Sequence, residues 1–188
     1  MQELLRELPN WIDILSKGIL QTIQMVLPST ILAYLLGIPI GAFLHITKPG
    51  GVKPNRIVNS ILGWVVNMMR SIPFIILLIA LMPATKQVMG TSIGTKSMIF
   101  PLFIGAAPFV ARMVETSLAE VDYSLIEASR AMGATTSQII LKVMIPEAIP
   151  SLIRGFSISI ITVIGYSALA GTVGGGGLGD ISIMYGYR

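Results

Sequence analysis

The 188-residue chain is 53% hydrophobic and 12% charged, about half the charge usual for a soluble domain, so most of its surface must face lipid or other apolar helices. Its formal charge of +4 is carried by basic residues scattered singly, which excludes a nucleic-acid footprint and reads as membrane orientation and lipid headgroup contact. The absence of cysteine removes disulfides, thiolate metal sites and cysteine nucleophiles together.

In chain order, residues 1–17 predict a short amphipathic interfacial helix. Leu4, Leu5, Leu8, Trp11, Ile12 and Leu15 recur at helical spacing, and a tryptophan suits the headgroup level. Four stretches then reach the roughly 20 apolar residues that a membrane span needs. They run from Ile19 to Ile46, Ile57 to Met82, Met98 to Ala119 and Ser151 to Ala170. The fold class expected is therefore all-α, a polytopic helical membrane protein. The loop from Thr47 to Arg56 carries Lys48, Lys53 and Arg56 without an acid, which favours the cytoplasm.

Charges inside spans are costly unless paired or hydrated. Arg112 and Glu115 lie three residues apart on the third stretch and suit a local ion pair. Arg70 has no acid beside it on the second stretch, so it either pairs with Glu115 across helices or lines a water-filled path. Pro28, Pro39, Pro73, Pro101 and Pro108 each remove an amide donor and predict kinks, and Gly37 with Gly41 predicts close helix packing. His45 reads as an interfacial residue with no second ligand for a metal.

The most informative segment is polar: EASRAMGATTSQIILKVMIP, Glu127 to Pro146. Ser124 with Glu127, and Thr135 with Gln138, are spaced as capping boxes and predict two short helices. Gly133 falls between them, where a residue without a Cβ can turn the chain through the left-handed region, and Pro146 is expected to end the second helix. Such a hairpin either docks on a partner or closes its own bundle. In the second case Leu125, Ala128 and Met132, then Ile139, Ile140, Val143 and Met144, would pack onto the spans.

The spacing of Glu127, Ala128, Ser129, Gly133, Val143, Ile145 and Pro146 resembles the cytoplasmic EAA loop of binding-protein-dependent ABC importer permeases, with Ser129, Val143 and Ile145 as conservative departures. RSIPFIILL, GTSIG, GAAPFVARMVE and GYSALAGTVGGGGLGD extend the likeness over almost the whole chain, and together they resemble the permease subunit of the methionine ABC importer. The resemblance implies a single transmembrane domain over 1–188 whose loop, 124–146, docks an ATPase subunit through Glu127, Ala128, Ser129, Gly133, Thr135, Val143, Ile145 and Pro146. It implies a second permease copy, an external substrate-binding lipoprotein, a bacterial inner-membrane setting, and a further span beyond Arg188. ATP and Mg would sit on the partner, with no cofactor on this chain, which has no G-K-[ST] run and is expected to have no catalytic site.

Near the external mouth, Tyr166 and Ser167 join Arg70, Arg112 and Glu115 as candidates for the translocation path. The glycine-rich run from Gly171 to Gly179 is expected to be a freely moving turn rather than a dinucleotide site, since Gly174, Gly176 and Gly179 follow a span and no strand. Two readings stay open beside methionine import. One is a permease for another small amino acid or osmolyte. The other is a channel-like membrane protein without an ATPase, with a membrane-embedded enzyme disfavoured because no histidine cluster or intramembrane acid pair is present.

Overall fold

The computed structural model describes residues 2–186, with side chains from residue 11 onward. Every regular element among them is helical: α1 (Gln2–Thr47), α2 (Arg56–Ser71), α3 (Phe74–Met89), α4 (Ile99–Ala119), α5 (Tyr123–Ala131), α6 (Thr136–Gln138), a π-helix (Ile139–Met144), α7 (Ile145–Ala170), a 3-10 turn (Gly171–Val173) and α8 (Gly177–Gly186). Among the described residues, three stretches are long and apolar enough to cross a membrane: Trp11–Thr47, Ile99–Ala119 and Thr136–Val173. A fourth span is counted only if α2 and α3 are taken as one broken crossing.

Three sequence expectations are corrected here. First, residues 1–17 do not form a separate interfacial helix, because α1 runs unbroken to Thr47. Gly18 is the only weak point at the expected junction, and one glycine costs a helix about 1 kcal/mol, too little to end it. Leu4, Leu5 and Leu8 lie outside the residues with described side chains. Second, the stretch from Ile57 to Met82 breaks at Ile72 and Pro73. Proline disfavours helical geometry in the residue before it, so Ile72 leaves the helix and Pro73 becomes the N-cap of α3. Third, Pro146 does not end a helix; it lies in the first turn of α7.

The chain divides into two compact units. The second unit contains Leu32–Ser71 and Ala107–Ser159. Its core joins Leu44 of α1, Val66 of α2 and Ala111 of α4, flanked by Ile40 and Leu62. Gly37 and Gly41, four apart on one face, set the spacing of α1 and α4. A Cβ at Gly41 would lie 2.4 Å from the Ala111 carbonyl oxygen, and one at Gly37 would lie 2.6 Å from Val110. The expected close packing is therefore present, and no larger residue fits.

The loop between α1 and α2 is knotted to its flanking helices. The amide of Lys53 donates to the Ile46 carbonyl at 3.1 Å and that of Asn55 to the Thr47 carbonyl at 2.9 Å. The Asn59 side chain donates back to the Leu44 carbonyl at 2.7 Å.

The first unit contains the residues up to Ile31, Ile72–Ala106 and those from Ile160. Its glycine-rich run is not the free turn expected from composition. Gly171, Gly175, Gly177 and Gly179 are buried. A Cβ on Gly171 would meet the Asp180 amide nitrogen at 2.3 Å, one on Gly179 the Ala168 oxygen at 2.3 Å, and one on Gly175 the Ala170 oxygen at 2.7 Å. These glycines permit backbone-to-backbone packing. Two side chains of α1 complete the seat: Gln21 accepts from the Gly177 amide at 2.8 Å and Thr22 from the Leu178 amide at 3.0 Å. They satisfy the orphan donors at the start of α8 from another helix.

Candidate functional site

The hairpin from Asp122 to Met144 lies wholly in the second unit. Its first helix, α5, begins two residues earlier than the Ser124–Glu127 pattern implies. Asp122 is the N-cap, and its carboxylate accepts from the Ser124 amide at 2.9 Å. That places Glu127 beyond capping reach, so the first expected capping box is absent. Aspartate immediately before a helix is a strong N-cap, and it displaces the serine pattern two residues later. Hydrogen bonding by the Ser124 amide and then its side chain holds the Asp122 carboxyl below the usual carboxylate range.

The turn matches the expectation in detail. Gly133 has φ of +80°, in the left-handed region. The Gly133 amide donates to the Arg130 carbonyl at 2.9 Å and the Ala134 amide to the Ser129 carbonyl at 3.0 Å, the two bonds of a Schellman ending. Thr135 and Gln138 then form the reciprocal capping box: Thr135 accepts from the Gln138 amide, and the Gln138 side chain accepts from the Thr135 amide at 2.8 Å. From Gln138 the chain runs through the π-helix directly into α7. The Ile145 amide bonds five residues back, to the Ile140 carbonyl, at the point where Pro146 can offer no donor.

The faces of the hairpin separate its two possible roles. In α5, Ile126 and Ser129 turn inward, and the Ser129 hydroxyl donates to the Leu125 carbonyl. Leu125, Glu127, Ala128, Ala131 and Met132 are exposed, Met132 at 80%. In the second half Ile139 and Met144 are buried, Ile140, Val143 and Ile145 are half-buried, and Leu141 and Pro146 are exposed. The self-packing expected of Leu125, Ala128 and Met132 therefore does not occur; that of Ile139 and Met144 does. An exposed surface of Glu127, Ala128, Ala131 and Met132, next to a defined turn, is left for a partner.

The intramembrane charges sit apart from the hairpin surface. Arg112 pairs with Glu115 at 2.5 Å, with both side chains about four-fifths covered, and its other terminal nitrogen donates to the Gly63 carbonyl of α2 at 3.2 Å. Its Nε is buried without a partner. Arg70 does not reach Glu115. It is exposed and lies over the Phe109 ring at 5.9 Å, an attraction between cation and ring face. In the first unit Tyr166 stacks on Phe74 with centroids 4.3 Å apart. Ser167 is buried and its hydroxyl donates to the Ile164 carbonyl of its own helix.

Sequence reasoning missed Asp122, Ile126 and Ala131, although an aspartate at the head of an amphipathic run was a usable signal, and Ser129, expected on the docking surface, is buried with its hydroxyl bonded to its own helix. It also missed Arg130, which donates to the Val52 carbonyl, 78 residues away in the α1–α2 loop. No local pattern marks such a contact.

Residues 37–186 match the family described as binding-protein-dependent transport system inner membrane component. A probable D-methionine transport system permease protein MetI from Vibrio cholerae is 50% identical over 176 residues, 94% of this chain and 78% of that protein. The D-methionine transport system permease protein MetI from Escherichia coli is 48% identical over 84% of this chain and 73% of its own length. A structure of the MetNI methionine ABC transporter in an inward-facing conformation has a TM-score of 0.91 at 48% identity, covering 93% of this chain and 81% of that one. An amino acid ABC transporter crystallised with histidines shares the fold, at 22% identity and a TM-score of 0.71. The chain is a multi-pass helical membrane protein, and it belongs to the family of binding-protein-dependent transport system inner membrane components.

Proposed function

We propose that this chain is the permease subunit of an ATP-driven methionine importer in a bacterial inner membrane, moving its substrate by alternating access. The observation that carries the reading is likeness to methionine permeases at about half identity across nearly the whole chain, joined to a hairpin whose outer face is uncovered. Two copies form the path. Each offers residues 124–146 to one ATPase subunit, which holds ATP and Mg, and an external binding protein delivers substrate. The permease performs no covalent chemistry.

In this mechanism Asp122, Thr135 and Gln138 fix the ends of the hairpin helices, and Gly133 fixes the turn between them. Glu127, Ala128, Ala131 and Met132 meet the partner, with Glu127 supplying the charge. Closure of the ATPase pair on ATP draws the two hairpins together and opens the permease pair outward; hydrolysis reverses it. Binding energy can drive the change only because the ATPase contacts differ between the two states.

The test is uptake of labelled L-methionine into vesicles containing this chain with its ATPase and binding protein, with competition by D-methionine and a panel of other amino acids. ATP-dependent uptake competed chiefly by methionine is expected. Uptake without ATP, or competition led by another amino acid, would overturn the import reading or its substrate respectively.

A further inference from the structure

Resting on the coupling role just proposed, we infer that Arg130 is a positioning residue that carries movement of α5 into the α1–α2 hairpin through the Val52 carbonyl. Ile126 and Val52 are both buried and, with Tyr123, Gly50 and Gly51, line a cavity of about 110 Å³, so the apolar contact between these elements carries no direction of its own. Among the described residues, the bond from the Arg130 guanidinium to Val52, at 2.5 Å, is the only hydrogen bond between α5 and the loop of residues 48–55. An arginine donor to a carbonyl is a charge-assisted bond, directional and resistant to stretching.

What that bond grips is rigid. Val52 sits between Gly51, whose amide donates to Lys48, and Lys53, whose amide donates to Ile46. A Cβ at Gly51 would fall 2.4 Å from the Ile46 oxygen, so the loop lies directly against the end of α1. Asn59 ties α2 to that same end through the Leu44 carbonyl and the Thr47 hydroxyl. Pulling Val52 therefore pulls α1 and α2 together. On α5, Arg130 is exposed but its guanidinium reaches the Val52 carbonyl, while Glu127, Ala128, Ala131 and Met132 form the exposed surface assigned to the ATPase. One short helix thus receives force on one side and passes it on from another.

The experiment compares Arg130→Met, which keeps the aliphatic stem without a donor, and Arg130→Lys, which keeps one donor, with the parent chain in vesicles with ATPase and binding protein. Three quantities are read: ATPase copurified, ATP hydrolysed, and methionine transported per ATP. Arg130→Met is expected to keep the ATPase and most of its hydrolysis while transport per ATP falls about tenfold, and Arg130→Lys to recover much of the loss. A merely structural role would lower copurification and hydrolysis alongside transport and would not be rescued in the ratio. Unchanged transport per ATP in Arg130→Met overturns the proposal, as does loss of the ATPase from both variants, which would place Arg130 on the docking surface instead. Failure of the parent chain to couple uptake to ATP would refute the import reading itself.

Discussion

Replacing Gly133 isolates the backbone of the turn from every other effect. An added Cβ there would meet no atom within 4 Å, so alanine introduces no clash and its cost comes from the φ of +80° alone. An L-residue with a Cβ pays about 1 kcal/mol in that region, asparagine pays less because its short amide bonds locally, and a β-branched valine pays about 2 kcal/mol. At 25 °C these figures move the balance between the ordered Schellman turn and displaced conformers by about fivefold for alanine and about thirtyfold for valine. The order expected for both ATPase copurification and methionine uptake is therefore glycine, asparagine, alanine, valine, at equal yield in the membrane fraction. The series is read from a tagged permease purified with its ATPase, with uptake in vesicles from the same preparation. Equal behaviour across the series, or alanine outperforming asparagine, would show that the turn's left-handed geometry does not govern docking.

Three further outcomes follow from specific contacts. Gly41→Ala should destabilise the second unit by about 3 kcal/mol, because the new methyl group would press on the Ala111 carbonyl, which belongs to helix backbone and cannot rotate aside; an unaltered thermal midpoint in detergent would contradict this. Asp122 has a lowered pKa in the folded protein, so its capping contribution is fully present above the unfolded carboxylate pKa and is lost as pH falls through the lower, folded value. The Asp122→Asn variant keeps a capping side chain that does not titrate, so the thermal midpoint of the parent should fall relative to that variant at acid pH, and a difference independent of pH would remove the carboxylate from the account. Gly175→Ala should lower transport by disrupting the seat of α8, since its methyl group would lie 2.7 Å from both the Ala170 oxygen and Met98; transport at the parental rate and equal expression would mean the segment yields freely.

What could be read from the sequence was local in origin. The third span was placed to within one residue, and Gly133 and the Thr135–Gln138 box were recognisable because each depends on residues at most five apart. Competing local signals decided the first cap, where Asp122 stood two residues ahead of the serine pattern. The break at Pro73 was visible as a proline but not as a full stop, because the preceding apolar run satisfies the length rule whether or not it is continuous. Long-range contacts were beyond reach. Gln21 and Thr22 accept from amides 156 residues away, and only that partnership turns a glycine-rich run from a free turn into a packed one.

The attachment of the hairpin explains why a proline can sit at its far end without ending the helix. Pro146 has no amide, and in an α-helix its ring would crowd the carbonyl four residues back, that of Lys142. The preceding π-helix widens the spiral and moves the bonding register by one, so Ile145 donates to Ile140 and the chain enters α7 already past the gap. The hairpin is therefore joined to α7 by continuous covalent helix, whereas its hydrogen bonding to the α1–α2 loop rests on Arg130 alone among the described residues. A continuous helix transmits displacement whatever its side chains, but a single side-chain bond transmits it only while the donor is present. Loss of that donor should leave α7 driven and the α1–α2 hairpin slack, which is why transport per ATP, rather than ATP hydrolysis, is the quantity that Arg130 controls.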